Sequence, residues 1–300
     1  MKILINRKPV EGPWGGGNLF VRAFCGFLSG KDHTVVHEFS DDIDAIFMQD
    51  PRYSDLGISV NEILAYKRWK PSTRVIHRVN ECDARKNTAD IDDLLRQCSE
   101  HTDTTVFVSE WMRQYHLTRG WKCQDTHVIH NGVDKEHFRP IPAEDKINNG
   151  KINIVTHHWS SNRMKGFDVY EALDSFVGEH PGFTFSYVGR DLGTFQNALV
   201  IPPLHSLQLG RMLSRYDVYV SGSLFDPGPN HVLEALACEI PTYVIKSGGG
   251  AVEFAGENHS YETMSELIDI LSTKNFAKNQ FVPHSWNSCV MKYKACLERN

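Results

Sequence analysis

The sequence lacks a run of about 18 consecutive apolar residues, the length that a membrane-spanning helix needs. Its N-terminal segment, MKILINRKPVEG, lacks the long apolar stretch of a secretion signal. The formal net charge is -5, so there is no excess of basic residues that would favour nucleic acid as a partner. These absences predict a soluble protein with no nucleic-acid partner and at most peripheral membrane contact.

The cysteines lack the even number and regular spacing of a disulfide framework. There are seven of them, scattered along the chain, which predicts free thiols in a reducing compartment and a cytoplasmic location. One subset, Cys98, His101, Cys123 and His127, has spacings that zinc could use. The separation of its two cysteines matches no common zinc finger or ribbon, so we favour ordinary core cysteines.

Short β-type runs alternate with helical stretches along the whole chain. In the first half the predicted helices lie near 17–29, 60–69 and 110–118, between runs such as KILIN, DAIFMQ, TRVIHRV and TTVFVS. The second half repeats this rhythm with INIVTHH, FTFSYVG, DVYVSG and PTYVIK. Apolar strands separated by helices predict an α/β protein with two parallel, doubly wound sheets.

A break between the two halves predicts a domain boundary. The segment RPIPAEDKINNGK interrupts both periodicities with two prolines, several charges and an Asn-Asn-Gly sequence. We therefore expect two Rossmann-like domains, over residues 1–145 and 146–283, followed by a helical segment over 284–300.

The stretch FDPGPNHVLEALACEIPTYV (225–244) has the character of a ligand site, because open α/β sheets bind ligands beyond the carboxyl ends of their strands. A Pro/Gly-rich loop with Asp226 leads into an apolar helix that carries Glu234. Pro229 suits the first helical turn, where free amide groups would suit a phosphate. Glu234 would face the same crevice as the loop and could bind vicinal hydroxyls. The alternative is a solvent-exposed Glu on an ordinary packed helix.

This stretch resembles the acidic pair of the retaining nucleotide-sugar glycosyltransferases of the GT-B fold, in particular glycosyltransferase family 4. That family has two Glu separated by seven residues, followed by the pattern EA-A-G-P-V. Asp226 stands at the position of the first Glu, and Glu234 matches the second. The resemblance implies that Asp226 reaches the donor sugar and that Glu234 binds the ribose of the nucleotide.

Further stretches resemble the family in the same order along the chain. VIHNGVDKEHFRP (128–140) is similar to its interdomain turn, and INIVTHHWSSNRMKGFDVY (152–170) to its strand, phosphate-binding loop and Lys-Gly helix start. This similarity implies that Lys165 lies on the donor diphosphate. The family Arg that precedes this Lys by about five residues is Ser160 here, and Arg163 is the nearest substitute.

The first domain carries two weaker signals. Gly15, Gly16 and Gly17 lie between the first predicted strand and helix, and in the family this loop faces the donor diphosphate. A glycine cluster is also typical of a plain turn, and the full G-x-G-x-x-G pattern is missing. His77 and Asn80 end an apolar strand near the place where the family keeps a cleft His, so either could fill that place. A structural role for His77 is the alternative.

Taken together, the resemblance implies two Rossmann-like domains that face each other across a cleft, with the acceptor on the first domain and the donor on the second. The C-terminal helix would pack back toward the first domain. The implied reaction moves a sugar from a nucleotide-diphosphate-sugar donor to a glycan, lipid or small-molecule acceptor with retention of anomeric configuration. The catalytic candidates are Asp226, Lys165 and His77. The donor-binding candidates are Gly16, Gly17, Arg163, Lys165, Asp226, Pro229, Asn230, His231, Val232 and Glu234.

The family needs no bound metal, so the resemblance implies no metal and no cofactor besides the donor substrate. Two Asp-x-Asp triplets, at 42–44 and 90–92, lie in polar stretches where Asp is favoured in turns and caps. Three other classes stay open: a sugar-nucleotide epimerase on the same fold, a nicotinamide oxidoreductase, and a non-catalytic or degenerate sugar-nucleotide binding protein. The oxidoreductase would require a full glycine fingerprint, and turnover would separate an enzyme from a binding protein.

Overall fold

The chain divides into two compact units in the computed structural model, which describes residues 1–12, 15–29, 33–52, 57–123 and 125–298. Unit 1 comprises Met1–Gly132 together with the segment that starts at Trp286, and unit 2 comprises Val133–Ser285. Unit 2 starts at Val133, whereas the predicted boundary lies between residues 145 and 146. The reason is that Val133 and Phe138 are buried in the core of unit 2.

Unit 1 is built on a sheet of six parallel strands. The strands are β1 (Lys2–Ile5), β2 (Thr34–Val36), β3 (Ala45–Met48), β4 (Arg74–Val79), β5 (Thr104–Phe107) and β6 (Thr126–Val128). Their order across the sheet is β2-β1-β3-β4-β5-β6. The helices between them are α1 (Gly16–Leu28), α2 (Val60–Trp69), α3 (Asp83–Lys86), α4 (Ile91–Ser99) and α5 (Glu110–Leu117).

Unit 2 has a second sheet of six parallel strands. These are β7 (Ile152–His158), β8 (Phe183–Gly189), β9 (Leu199–Ile201), β10 (Val218–Ser221), β11 (Thr242–Ile245) and β12 (Ser260–Tyr261). The helices are α6 (Phe167–Glu179), α7 (Ser206–Leu213), α8 (Asn230–Ala237), α9 (Gly250–Ala255) and α10 (Met264–Ser272). The two parallel sheets confirm the predicted α/β architecture.

The strand order of unit 2 fixes where a ligand would bind. The order is β12-β11-β10-β7-β8-β9, so the chain first builds outward from β7 on one side and then returns to add β10 on the other. Strands β7 and β10 are hydrogen-bonded neighbours although two strands separate them in sequence. Loops diverge at such a point of reversal and leave a crevice at the carboxyl ends of the two strands.

The last helix, α11 (Trp286–Leu297), belongs to unit 1. Its buried residues Cys289, Val290 and Tyr293 join Phe20 of α1 in one apolar core. The Tyr293 ring meets the Phe20 ring edge-on at a centroid distance of 5.0 Å. Arg78 Nε also donates a hydrogen bond to Tyr293 Oη at 3.1 Å, so α11 completes both the apolar and the polar interior of unit 1.

Two general expectations concern cysteines and membranes. No disulfide joins the seven cysteines, all of which lie in the part of the chain that the structure describes. Over the same ranges, no helix combines the length and the apolar character required to cross a bilayer.

Candidate functional site

The carboxyl ends of β7 and β10 bring together most of the charged residues that the sequence singled out. Strand β7 ends with His157 and His158, the loop after β10 carries Asp226, and α8 carries His231 and Glu234. This is the position at which the order of the sheet reverses. The candidate site of unit 2 therefore lies where doubly wound sheets bind their ligands.

Lys165 and Asp226 form an ion pair in this site. Lys165 Nζ lies 2.6 Å from Asp226 Oδ2, and only 16% and 5% of the two side chains are exposed. Lys165 is held at the end of a short 3-10 turn, which starts where Asn162 Oδ1 accepts a hydrogen bond from Met164 N. Ser223 Oγ donates to Asp226 Oδ2 at 3.3 Å. Lys165, which the family resemblance places on the diphosphate, thus contacts Asp226, which it places on the sugar.

A glycine allows the Lys165 loop to approach the Asp226 loop. Gly166 has φ +96°, and a Cβ at this position would lie 2.3 Å from the backbone carbonyl carbon of Gly222. A residue with a side chain could adopt neither this conformation nor this approach without strain. The Lys-Gly pair at the start of α6 is therefore needed for the packing of the loops as well as for the position of the cation.

The backbone around Asp226 is fixed by the glycine-rich turn before α9. Asp226 N donates to Gly248 O at 3.1 Å, and Gly250 N donates to Asp226 O at 2.8 Å. The preceding residue, Phe225, has φ +47°, which is unfavourable for a bulky side chain. Such strain persists only where the surroundings over-determine the conformation, and it clusters at functional sites.

Glu234 is paired with His157. His157 Nε2 lies 2.8 Å from Glu234 Oε2, and both side chains are largely buried. The other ring nitrogen, His157 Nδ1, is buried and has no hydrogen-bond partner among the described residues. Glu234 on α8 is therefore a largely buried carboxylate that is fixed by a contact with the end of β7. This excludes the alternative of an ordinary solvent-exposed Glu.

A buried polar layer lies next to this pair. His158 Nε2 is 2.6 Å from Tyr170 Oη, and the same hydroxyl accepts a hydrogen bond from Gly222 N at 3.1 Å. Burial raises the pKa of Tyr170 to about 12, so Tyr170 keeps its proton. Burial, reinforced by the charges of His231 and Lys165, holds the pKa of His158 well below its usual range. His158 is therefore neutral.

At the start of α8, Pro229, His231 and Val232 are buried and Asn230 is half-buried. Pro229 occupies the N-cap position and Asn230 is the first helical residue. His231 is buried, with Nε2 2.9 Å from Ser221 Oγ. Val232 is also buried, in a core cluster that packs α8 against α9, and its N–H donates to Pro229 O. Val232 thus serves the packing of the helix.

Arg163, the substitute suggested for the family Arg, faces the surface of α6. Its side chain is 57% exposed, and Nη2 lies 2.6 Å from Asp168 Oδ1 and 3.0 Å from Glu171 Oε2. Sequence reasoning did not consider Arg190, which follows β8. Its guanidinium lies over the ring of Trp159, 4.3 Å from the centroid, directly after the end of β7.

In unit 1 the glycines lie at the corresponding reversal of strand order, between β1 and β3. Gly15 is the N-cap of α1, and Gly16 and Gly17 are its first two residues. Gln49, directly after β3, lies next to Gly17 and accepts a hydrogen bond from Arg78 Nη1 at 3.3 Å. The glycines therefore begin the helix at the ligand-binding edge of the first sheet.

His77 lies in the interior of unit 1. Its side chain is 0% exposed, and neither ring nitrogen has a hydrogen-bond partner in the described ranges. Burial, with a contribution from His116, lowers the pKa of His77 to about 3. The ring is a neutral core group in this conformation. Asn80, immediately after β4, is half-buried instead.

The Asp-x-Asp triplets make local structural contacts. Lys2 donates to Asp42 through Nζ and to Asp44 through its backbone N, each at 2.7 Å. Asp90 is the N-cap of α4, and Asp92 accepts a hydrogen bond from Tyr115 Oη at 2.7 Å. Throughout the described chain, no three His, Cys, Asp or Glu side chains come together as a metal site, and this includes the zinc-like Cys/His subset.

No protein-family model matches the chain, and no curated protein matches it in sequence. Solved structures do match. Sucrose-phosphate synthase from Thermosynechococcus elongatus is 15% identical, with a TM-score of 0.73 over 98% of this chain and 97% of that one. HepE from Anabaena, in a complex with UDP and glucose, is 12% identical, with a TM-score of 0.75 over 100% and 99%. WaaG, a glycosyltransferase involved in lipopolysaccharide biosynthesis, is 13% identical, with a TM-score of 0.65 over 98% and 95%. The chain therefore has the GT-B fold of these proteins, with two Rossmann-like domains.

Proposed function

We propose that the protein is a glycosyltransferase that moves a sugar from a nucleoside-diphosphate-sugar donor to an acceptor with retention of anomeric configuration. The observation that carries this proposal is the joint placement of Lys165, Asp226 and Glu234 at the strand reversal of unit 2. The three charges are largely buried, and Asp226 and Glu234 have the spacing of the family's acidic pair. The fold supports the proposal, since HepE was solved with UDP and glucose.

Lys165 would stabilise the leaving group. Departure of a nucleoside diphosphate builds negative charge on phosphate oxygens, and a fixed, partly buried cation stabilises that charge better than water does. The charge of Lys165 is balanced by Asp226 in the structure. A diphosphate carries more negative charge than one carboxylate and competes for the ammonium. Asp226 then becomes available to accept a hydrogen bond from a hydroxyl of the transferred sugar.

Glu234 would bind the ribose. A carboxylate has two oxygens and therefore suits a pair of neighbouring hydroxyls. In Glu234, Oε2 is engaged by His157, which leaves Oε1 and the remaining lone pair of Oε2 for the two hydroxyls. The nucleotide half of the donor would thus rest on α8, and the diphosphate on the start of α6.

The reaction as proposed needs neither a metal nor a cofactor, because Lys165 supplies the fixed positive charge at the diphosphate. The acceptor, a glycan, a lipid or a small molecule, would bind on unit 1. The proposed location is the cytoplasm, because seven free cysteines suit a reducing compartment.

A two-stage experiment tests the proposal. The protein is first screened against nucleoside diphosphates and their sugars by thermal unfolding, because a ligand of the native state raises the melting temperature. The best donor is then incubated with acceptors, and release of nucleoside diphosphate is followed with and without excess EDTA. We expect release in both conditions and, by NMR, a product with the anomeric configuration of the donor. Binding without release would identify a sugar-nucleotide binding protein, and loss of release in EDTA would contradict a metal-independent reaction.

A further inference from the structure

We propose that His157 is a positioning residue for Glu234 and thereby sets the affinity for the ribose of the donor. This inference rests on the proposed function and assigns a role to a residue outside the acidic pair. His157 Nε2 and Glu234 Oε2 are 2.8 Å apart, and the two residues are 77 positions apart in sequence. Their side chains are only 8% and 14% exposed, so little water competes for this contact.

The proton of this hydrogen bond can be assigned from the chemistry of the partners. A carboxylate only accepts hydrogen bonds, so His157 Nε2 must carry the proton that points at Oε2. No other hydrogen bond fixes the ring, because His157 Nδ1 is buried without a partner within the described residues. Among the residues that the structure describes, Glu234 is therefore the only hydrogen-bond partner of the His157 ring.

The imidazole is also held in one orientation. Its ring meets the Tyr219 ring edge-on at a centroid distance of 5.5 Å, and the His231 ring at 6.2 Å and nearly perpendicular. The backbone N–H of His157 donates to Tyr219 Oη at 3.2 Å. A ring confined in this way transmits its orientation to the carboxylate. A Glu side chain has three rotatable bonds, and fixing Oε2 directs Oε1 as well.

The neighbouring histidines make different contacts, which separates their roles from that of His157. His158 is bonded to Tyr170, and His231 to Ser221. All three contacts join a strand to a helix of unit 2, but of these three only that of His157 is made to the carboxylate that we propose binds the ribose. A residue that positions such a carboxylate acts on ligand affinity more than on the reacting atoms.

Three variants at one position test the role. His157→Gln places an amide N–H near the position of Nε2, His157→Asn is too short to reach it, and His157→Leu removes the donor. Each is titrated by calorimetry with the nucleoside diphosphate that stabilises the wild type best, and with its 2′,3′-dideoxy form. We expect the Leu and Asn variants to lose about tenfold in affinity for the ribonucleotide and the Gln variant to stay within about threefold of wild type. Affinity for the dideoxy form should be the same in all four proteins.

A double-mutant cycle shows whether the effect passes through Glu234. In a Glu234→Ala background, His157→Leu should change ribonucleotide affinity by less than about twofold, because the side chain that His157 positions is gone. With a donor substrate, the change should fall on KM rather than kcat. Thermal unfolding confirms that each variant is folded.

The possible outcomes separate this inference from the proposed function. If the wild type binds nucleotide and His157→Leu binds it equally well, the positioning role is wrong and the proposed function stands. Equal loss for the ribose and dideoxy forms, or failure of the Gln variant to retain affinity, also overturns it. If the wild type binds no nucleotide at all, the proposed function fails, and the role of His157 fails with it.

Discussion

Lys165 Nζ contacts Asp226 Oδ2 at 2.6 Å, although the proposed function assigns these two residues to different parts of one donor. The pair keeps two buried charges balanced, and breaking such a pair from one side is unfavourable because the other charge stays buried. Binding of the diphosphate would replace Asp226 as the partner of Lys165. Because of this contact, binding of the diphosphate to Lys165 would release the Asp226 carboxylate, which could then bind the sugar.

Removal of the lysine charge should slow the reaction. Lys165→Met keeps much of the side-chain volume, and we expect kcat to fall by about tenfold or more, with a smaller change in donor affinity. The measurement is steady-state release of nucleoside diphosphate. Lys278→Met is the matched control, because Lys278 also pairs with an acid, Glu239, but is 74% exposed. A folded Lys165 variant with the turnover of the control would remove Lys165 from the mechanism.

Substitution of Glu234 and substitution of Asp226 should affect the binding of different ligands. Glu234→Ala removes the charged acceptor of the ribose, and a hydrogen bond to a charged group is worth roughly 1.5–3 kcal/mol, so affinity for free nucleoside diphosphate should fall by about ten- to a hundredfold. Asp226→Ala should bind free nucleotide at least as well as the wild type, because the diphosphate no longer competes with Asp226 for Lys165, while transfer drops. Asp226→Glu should keep partial activity. Calorimetric titration with nucleotide and with intact donor distinguishes these outcomes. Equal weakening of plain nucleotide binding by both Ala variants would show that the roles are wrongly assigned.

The two arginines near the site should differ. We propose that Arg190, whose guanidinium lies over Trp159 at the carboxyl ends of β7 and β8, binds a donor phosphate, so Arg190→Gln should weaken donor binding by about fivefold. Arg163→Gln should have the smaller effect, since two carboxylates of α6 already bind that guanidinium. The measurement is the affinity of each variant for intact donor. A larger loss for Arg163→Gln would restore Arg163 as the substitute for the family Arg.

Gly166→Ala should destabilise unit 2. The left-handed conformation is unfavourable by roughly 1–2 kcal/mol for a residue with a side chain. The new Cβ would also lie 2.3 Å from the backbone of Gly222. We expect a loss of about 2 kcal/mol or more in the free energy of unfolding. Gly182→Ala is the control, because no atom lies within 4 Å of its Cβ position. Equal melting temperatures for the two variants would contradict the close approach of the loops.

His77 should make the stability of unit 1 sensitive to acid. Its pKa is about 3 in the folded protein against 6.5 for an ordinary His, so between these values the unfolded chain binds more protons. The free energy of unfolding therefore falls as the pH drops through this window. From pH 7.5 to pH 5, His77 alone should account for a loss of about 2 kcal/mol. Urea unfolding at both pH values should show this loss in the wild type, and His77→Leu should reduce it by that amount. An unchanged pH dependence in the variant would contradict a buried neutral His77.

The sequence predicted the elements that bear the site but not the contacts between them. Strands β7 and β10 and helix α8 are stretches rich in apolar residues and separated by clear turn residues, and each was predicted close to where it is observed. The shorter β2 and β12, of three and two residues, give no periodic signal and were missed. Short elements are set by tertiary packing more than by local preference.

The pairing of His157 with Glu234 could not be read from the sequence, because it depends on β7 lying beside β10 while β8 and β9 intervene along the chain. The available signal was the His doublet at the end of the strand INIVTHH, two polar residues at a carboxyl end. The same signal misleads at His77. In a central strand buried on both faces, a polar side chain can lie in the interior, and only the packing around β4 decides this.

The place of α11 in unit 1 determines which unit can finish folding first during synthesis. A ribosome releases Cys289, Val290 and Tyr293 only after it has made all of unit 2. Until then Phe20 lacks part of its core and Arg78 Nε lacks the Tyr293 hydroxyl. Domains usually complete in the order in which they are synthesised. In this protein the whole sequence of unit 2 is synthesised before the sequence of unit 1 is complete. Unit 1 is therefore started first but completes its fold last.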